Sequence, residues 1–196
     1  MTYLAVEGVE GAGKSTIVAR LADAFEAQGD DVVVVREPGG TELGEGIRRL
    51  LLHGPAMTPW AEALLFAAQR SQLAAEVIRP ALERGAVVIG DRSVYSSLAY
   101  QGHARGLGVD LVRTVNEAGL DGTWPDRVVL LRIDPTTGLG RQAVADRIGS
   151  EGEGFQAAVA EGFGLLAAAE PDRFVTVEVG DLDPDTVVAA VLAGIA

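Results

Sequence analysis

The chain has 196 residues, 48% of them hydrophobic, no cysteine and a formal net charge of −12. That length fits one domain, residues 1–196, with a full core. The missing cysteines exclude a disulfide framework, a thiolate metal site and a cysteine nucleophile. The acidic balance argues against broad binding to nucleic acid or a membrane surface, so a polyphosphate ligand must be met by locally clustered arginines.

Tyr3-Leu4-Ala5-Val6 is a short apolar run that reads as a buried strand. Entering a strand this early leaves no room for a signal peptide, and no apolar run nears the length of a membrane span. A cytoplasmic location is the expectation. Gly8-Val9-Glu10-Gly11-Ala12-Gly13-Lys14-Ser15 follows, and it fits the phosphate-binding pattern G-x-x-x-x-G-K-[ST]. Ser15–Ala27 then carries Ile17, Leu21, Ala24 and Phe25 at helical spacing. Strand, glycine loop and helix suit phosphate for a physical reason. Glycines let the backbone curl so that successive N–H groups point inward, and the helix N-terminus adds positive potential. Lys14 is expected at the β- and γ-phosphates of ATP, with the Ser15 hydroxyl on Mg2+. Lys14 is also the only lysine in the chain. A compact ammonium fits inside such a loop where a planar guanidinium does not.

Asp31–Val35 reads as a second buried strand, ending in the turn Arg36-Glu37-Pro38-Gly39-Gly40-Thr41. Gly44–Leu52 looks like a short helix carrying Arg48. Pro59–Arg84 looks like a long one, interrupted near Pro80. In it Phe66 and Arg70 stand four apart on one face, a ring beside a guanidinium, which suits an aromatic base with a polar edge. Ala86–Asp91 is a third strand ending in a carboxylate, where a Walker B acid would hold Mg2+. Arg92 follows at once, then a segment rich in hydroxyls and amides up to His103. Arg127–Asp134 is a fourth strand and Arg173–Val179 a fifth. Helices are expected at Thr136–Ala145, Phe155–Glu170 and Pro184–Ile195, with a flexible segment at Ala145–Gly154. Alternation of this kind gives an α/β fold, a doubly wound five-stranded parallel sheet with helices on both faces.

Three motifs in this order resemble the bacterial thymidylate kinase family of P-loop nucleoside monophosphate kinases. They are Glu7–Thr16, Arg36–Thr41, and Asp91-Arg92 with Ser96–Gly102; Leu64–Arg70 is a fourth, looser match. The resemblance runs from residue 2 to about residue 180. It implies transfer of the γ-phosphate of ATP to dTMP, with Mg2+, in a homodimer. It implies that Gly8 to Thr16 bind ATP, through Val9, Glu10, Gly11, Ala12, Gly13, Lys14 and Ser15, and that Ser15 and Asp91 hold the metal. Phe66 would stack on thymine, Arg70 and Gln101 would read its edge beside Ser97, and Tyr100 would lie under the sugar where a 2′-hydroxyl would collide. Arg36, Arg48 and Arg92 would hold the acceptor phosphate in a pocket lined by Glu37 and Pro38. Glu10 would orient either that phosphate or the metal.

Some relatives carry an arginine directly after that acid; here the residue is Gly11. The resemblance therefore implies a catalytic arginine from a lid spanning about 137–154, Arg147 first and Arg141 second. Two alternatives stand beside this reading: a kinase for another nucleoside monophosphate, and a nucleotide-binding relative with impaired catalysis.

Overall fold

Five short runs of aliphatic residues become the strands of one sheet: β1 (Thr2–Glu7), β2 (Val32–Arg36), β3 (Val87–Asp91), β4 (Arg127–Arg132) and β5 (Phe174–Glu178). The structure is a computed structural model and describes residues 2–141 and 147–195. All strand pairs are parallel, in the order β2-β3-β1-β4-β5. β1 is central and buried beyond Thr2, which is why it reads as an unbroken apolar run. Each aliphatic side chain fully buried here, such as Leu4, Val6, Ile89 or Val129, contributes roughly 1.5–3 kcal/mol. Asp91 pairs with Val6 on one side and with Arg36 on the other. The carboxyl ends of the three strands are thereby brought level, and open α/β sheets bind their ligands at such an edge.

β2 departs from its sequence expectation. It is an edge strand, with Val35 buried but Val34 51% exposed, so its valines serve strand propensity more than core burial.

The helices are α1 (Lys14–Glu26), α2 (Glu42–His53), α3 (Pro59–Leu73), α4 (Arg79–Glu83), α5 (Val94–Ser97), α6 (Val109–Leu120), α7 (Pro135–Gly140), α8 (Glu153–Ala169) and α9 (Pro184–Ile195). The irregularity expected near Pro80 lies one turn earlier. A π turn at Ala74–Ile78 joins α3 to α4, and Pro80 falls in the first turn of α4, where its missing N–H costs little. A second π turn, Leu98–Ala104, continues α5 and carries Tyr100 and Gln101.

α6 has no counterpart in the sequence reading. Its buried stripe is Val112, Asn116 and Leu120, and a polar residue in the middle breaks the apolar period. The segment after α7 also differs. Residues 142–146, within the expected lid, lie outside the described residues. From Arg147 onward the chain is packed: Ile148 and Gly149 are buried, Gly149–Glu151 forms a 3-10 turn, and α8 begins two residues before Phe155.

Candidate active site

The loop after β1 leads into α1 through Gly13, whose φ of 85° only glycine adopts readily. α2, α3 and α7 begin with side-chain caps from Thr41, Thr58 and Asp134. α1, like α4, α6 and α8, has no side-chain cap, but it alone of these directly follows the glycine loop, the arrangement of phosphate-binding helix ends. Lys14 is buried, and its ammonium donates to the Val9 carbonyl at 2.8 Å. The Ser15 hydroxyl donates to the Asp91 carboxylate at 2.6 Å. Position 11 has no room for a side chain. A Cβ there would lie 1.9 Å from the Gly138 carbonyl oxygen of α7, and one on Gly138 would lie 2.3 Å from that of Glu10. Two glycines let α7 press against the loop.

This loop forms one end of a cavity of about 420 Å³, within the usual range for small-molecule clefts. Lys14, Arg36, Arg48, Arg92 and Arg141 line it, against the acids Glu10, Glu37 and Asp91. Cations outnumber carboxylates here although the whole chain is strongly acidic. Arg92, in the left-handed region at φ 74°, forms an ion pair with Glu10, donates to the Gly8 carbonyl at 3.3 Å and lies 5.3 Å from the Tyr100 ring centroid. Arg92 holds the Glu10 carboxyl below the usual carboxylate range. Burial, reinforced by the charge of Arg92, pulls the Lys14 ammonium down to about 8. Behind them, the fully buried Glu7 accepts from Ser93 N–H at 2.7 Å, Ser93 Oγ at 2.8 Å, Ser96 N–H at 3.1 Å and Ser96 Oγ at 2.6 Å. Burial raises Glu7, and these four bonds fix the turn that presents Arg92.

The other end of the cavity is apolar and amide-bearing. Phe66, Ser97, Tyr100, Gln101 and Ile148 line it. The Ser97 hydroxyl is buried without a hydrogen-bond partner among the described residues. Pro38 and Glu37 form part of the wall, and Arg48 donates to the Pro38 carbonyl at 2.7 Å. Arg36 is steadied by Glu45, 2.8 Å away.

The comparisons with known proteins agree on one family. The thymidylate kinase family model matches residues 6–189. The chain belongs to the thymidylate kinase family. It is 50% identical over 182 residues to a thymidylate kinase of Bifidobacterium longum (strain DJO10A), covering 90% of this chain and 88% of that one. It is 45% identical over 178 residues to a thymidylate kinase of Synechococcus sp. (strain JA-3-3Ab), covering 91% and 87%. Its fold matches the crystal structure of a thymidylate kinase from Ehrlichia chaffeensis with a TM-score of 0.83, at 29% identity over 99% of this chain and 97% of that one.

Within this thymidylate kinase fold, Gly8, Val9 and Ala12 of the loop do not line the cavity, the last two being buried beneath it, and two arginines expected there, Arg70 and Arg147, also stand elsewhere. Arg70 does not line it: the side chain is 2% exposed, pairs with Glu37 at 2.7 Å, and donates to Asn116 Oδ1 at 2.6 Å and the Ser93 carbonyl at 3.2 Å. It acts here as a buried prop for the cavity wall. Arg147 is also outside. Its guanidinium meets Glu62 at 2.8 Å and the Leu51 carbonyl at 2.7 Å. Arg141, the second candidate, lines the cavity beside the loop and donates to the Gly180 carbonyl at 2.9 Å.

Sequence reasoning did not single out Glu45, Glu62 or Asn116. A signal for Glu62 and Asn116 existed, since each is a polar residue set in the buried stripe of a helix. Glu62 stands one turn before Phe66, so it shares the face that reaches the cavity.

Proposed function

We propose that the chain transfers the γ-phosphate of ATP to dTMP, giving dTDP and ADP. One observation carries this reading: a single cavity joins the phosphate-binding loop, with its lysine and arginines, to an end built from a ring, a hydroxyl and an amide. Such a cleft holds a phosphorylated aromatic nucleotide with its phosphate aimed at the loop. Arg36, Arg48 and Arg92 would grip the acceptor phosphate, Glu10 would aim Arg92, and Phe66 would stack on the base. No activated nucleophile is needed, because positioning and charge stabilisation suffice for in-line transfer.

Mg2+ fits the residues present. Ser15 and Asp91 offer hard oxygen donors already in contact. Mg2+ commonly takes one or two protein oxygens and fills its other positions with phosphates and water. When bound, it neutralises charge on the transferring group.

For the arginine that meets the transferring phosphoryl group, Arg141 is favoured over Arg147 by its place in the cavity wall. We also infer a homodimer. α3 and α6 pack on each other and expose Trp60, Leu64 and Leu111, the leucines more than half exposed, and a second copy would cover them. Sedimentation as a monomer at working concentration would contradict it. Both substrates belong to nucleotide metabolism, which fits action in the cytoplasm; no described helix is long and apolar enough to cross a membrane.

Incubation with ATP, Mg2+ and dTMP tests the main reading. dTDP and ADP should form in equal amounts. ADP without dTDP would leave only hydrolysis and reject it.

A further inference from the structure

Glu62 is a buried acid on α3 that touches no phosphate-binding residue, yet three donors converge on it. Gln101 Nε2 donates to its Oε1 at 2.9 Å. Arg105 reaches Oε1 at 3.3 Å and Oε2 at 3.2 Å, and Arg147 meets Oε2 at 2.8 Å. Arg105 is itself fixed by Glu151 at 2.6 Å and lies 4.5 Å from the Phe155 ring centroid. Guanidinium groups only donate, so both Glu62 oxygens are accepting.

That arrangement decides an orientation. A glutamine amide has a donating and an accepting edge of nearly equal size, and its neighbours choose which way it faces. Facing a carboxylate that already serves two arginines, Gln101 must turn its nitrogen toward Glu62. Its oxygen is then on the opposite edge, and Gln101 is part of the cavity wall. We infer that Glu62 is a positioning residue that locks the Gln101 amide with its oxygen available to the base, and so selects a pyrimidine whose edge donates N–H over one that offers a lone pair. This rests on the reading of the cavity as a pyrimidine nucleotide acceptor site. The two ring types are those of uracil or thymine, whose N3 carries hydrogen, and of cytosine, whose N3 does not. Meeting a fixed carbonyl oxygen, cytosine N3 leaves two acceptors face to face, and an unpaired polar contact of that kind discriminates strongly.

dUMP and dCMP isolate the effect, since both carry hydrogen at C5 and differ only along that edge. The measurement is kcat/KM for each acceptor with ATP and Mg2+, or the inhibition constant of each against dTMP where turnover is too slow. Glu62→Gln replaces the carboxylate by an amide that can donate or accept, releasing Gln101 to turn over. The dUMP-to-dCMP ratio should fall at least about tenfold, the worth of one hydrogen bond lost on one side and gained on the other. Glu62→Asp keeps an accepting carboxylate and should retain most of the ratio even if both rates drop. Gln101→Leu should erase the preference with Glu62 intact, and this variant keeps the test alive if Glu62→Gln does not fold. A purely structural role for Glu62 would lower both acceptors alike. An unchanged ratio in Glu62→Gln, or in Gln101→Leu, overturns the inference while dTMP transfer by the unaltered chain still stands. If the unaltered chain transfers nothing to dTMP, the underlying reading fails and this inference falls with it.

Discussion

The Ser15 hydroxyl and the Asp91 carboxylate, 76 residues apart in sequence, meet at 2.6 Å. Parallel pairing of β1 with β3 places Val6 beside Asp91, so the loop after one strand opens against the end of the next. Both oxygens are therefore preset at one point before any ion arrives. Ser15→Ala and Asp91→Asn should each lower the rate about 10–100-fold at limiting Mg2+ and raise the Mg2+ concentration needed for half-maximal rate. Their combination should cost less than the product of the two, because they serve one site. Rates measured against Mg2+ concentration check this; additive losses with an unchanged Mg2+ requirement would separate the two residues.

Lys14 gives the site a pH dependence. Burial holds its ammonium down to about 8. A bound triphosphate favours the charged form, so the lysine's pKa rises on binding. ATP affinity is then full below pH 8 and falls as pH rises through 8, by about tenfold per unit, until the pKa of the complex is reached. Calorimetry in buffers of different ionisation enthalpy should show proton uptake on ATP binding above pH 8. Lys14→Ala should abolish both that uptake and transfer while leaving the fold intact.

Arg70 and Glu37 form a buried pair behind the cavity wall, 2.7 Å apart. Removing one charge strands the other. Arg70→Ala should destabilise the fold by about 3–5 kcal/mol, read by urea unfolding. A loss below about 1 kcal/mol, with weakened dTMP binding, would return Arg70 to the direct base contact that its resemblance implied.

The two arginines flanking residues 142–146 should differ in what they do. Arg141→Ala should lower kcat about 10³-fold, the smaller end of what an arginine finger contributes, with little change in dTMP binding. Arg147→Ala breaks a contact to Glu62 and should act more weakly on kcat. The reverse ranking would mean that Arg147 leaves Glu62 during turnover.

Much of the site was legible because its chemistry is local in sequence. Gly8–Ser15 carries the loop, its lysine and its hydroxyl together, and Asp91-Arg92 carries an acid and a cation at a strand end. The buried strands β1, β3 and β4 showed as apolar runs for the same reason. Illegible were roles set by packing across the fold. Nothing local to Phe66-Arg70 says that Arg70 turns inward to Glu37 and Asn116. Asn116 both hid α6, by interrupting its apolar stripe, and supplied the partner that draws Arg70 away from the cavity. Arg147 lies in the glycine-bearing run Ala145–Gly154, which reads as flexible, yet its anchor is Glu62, 85 residues earlier by number and adjacent only in space.

dTMP transfer is tested most directly by ADP release with ATP and Mg2+ across dTMP, dUMP, UMP and dCMP, beside a control without acceptor. Release should be fastest with dTMP, UMP should be rejected at Tyr100, and the control should stay near background. Equal rates across all four acceptors, or release that does not depend on an acceptor, would contradict this reading.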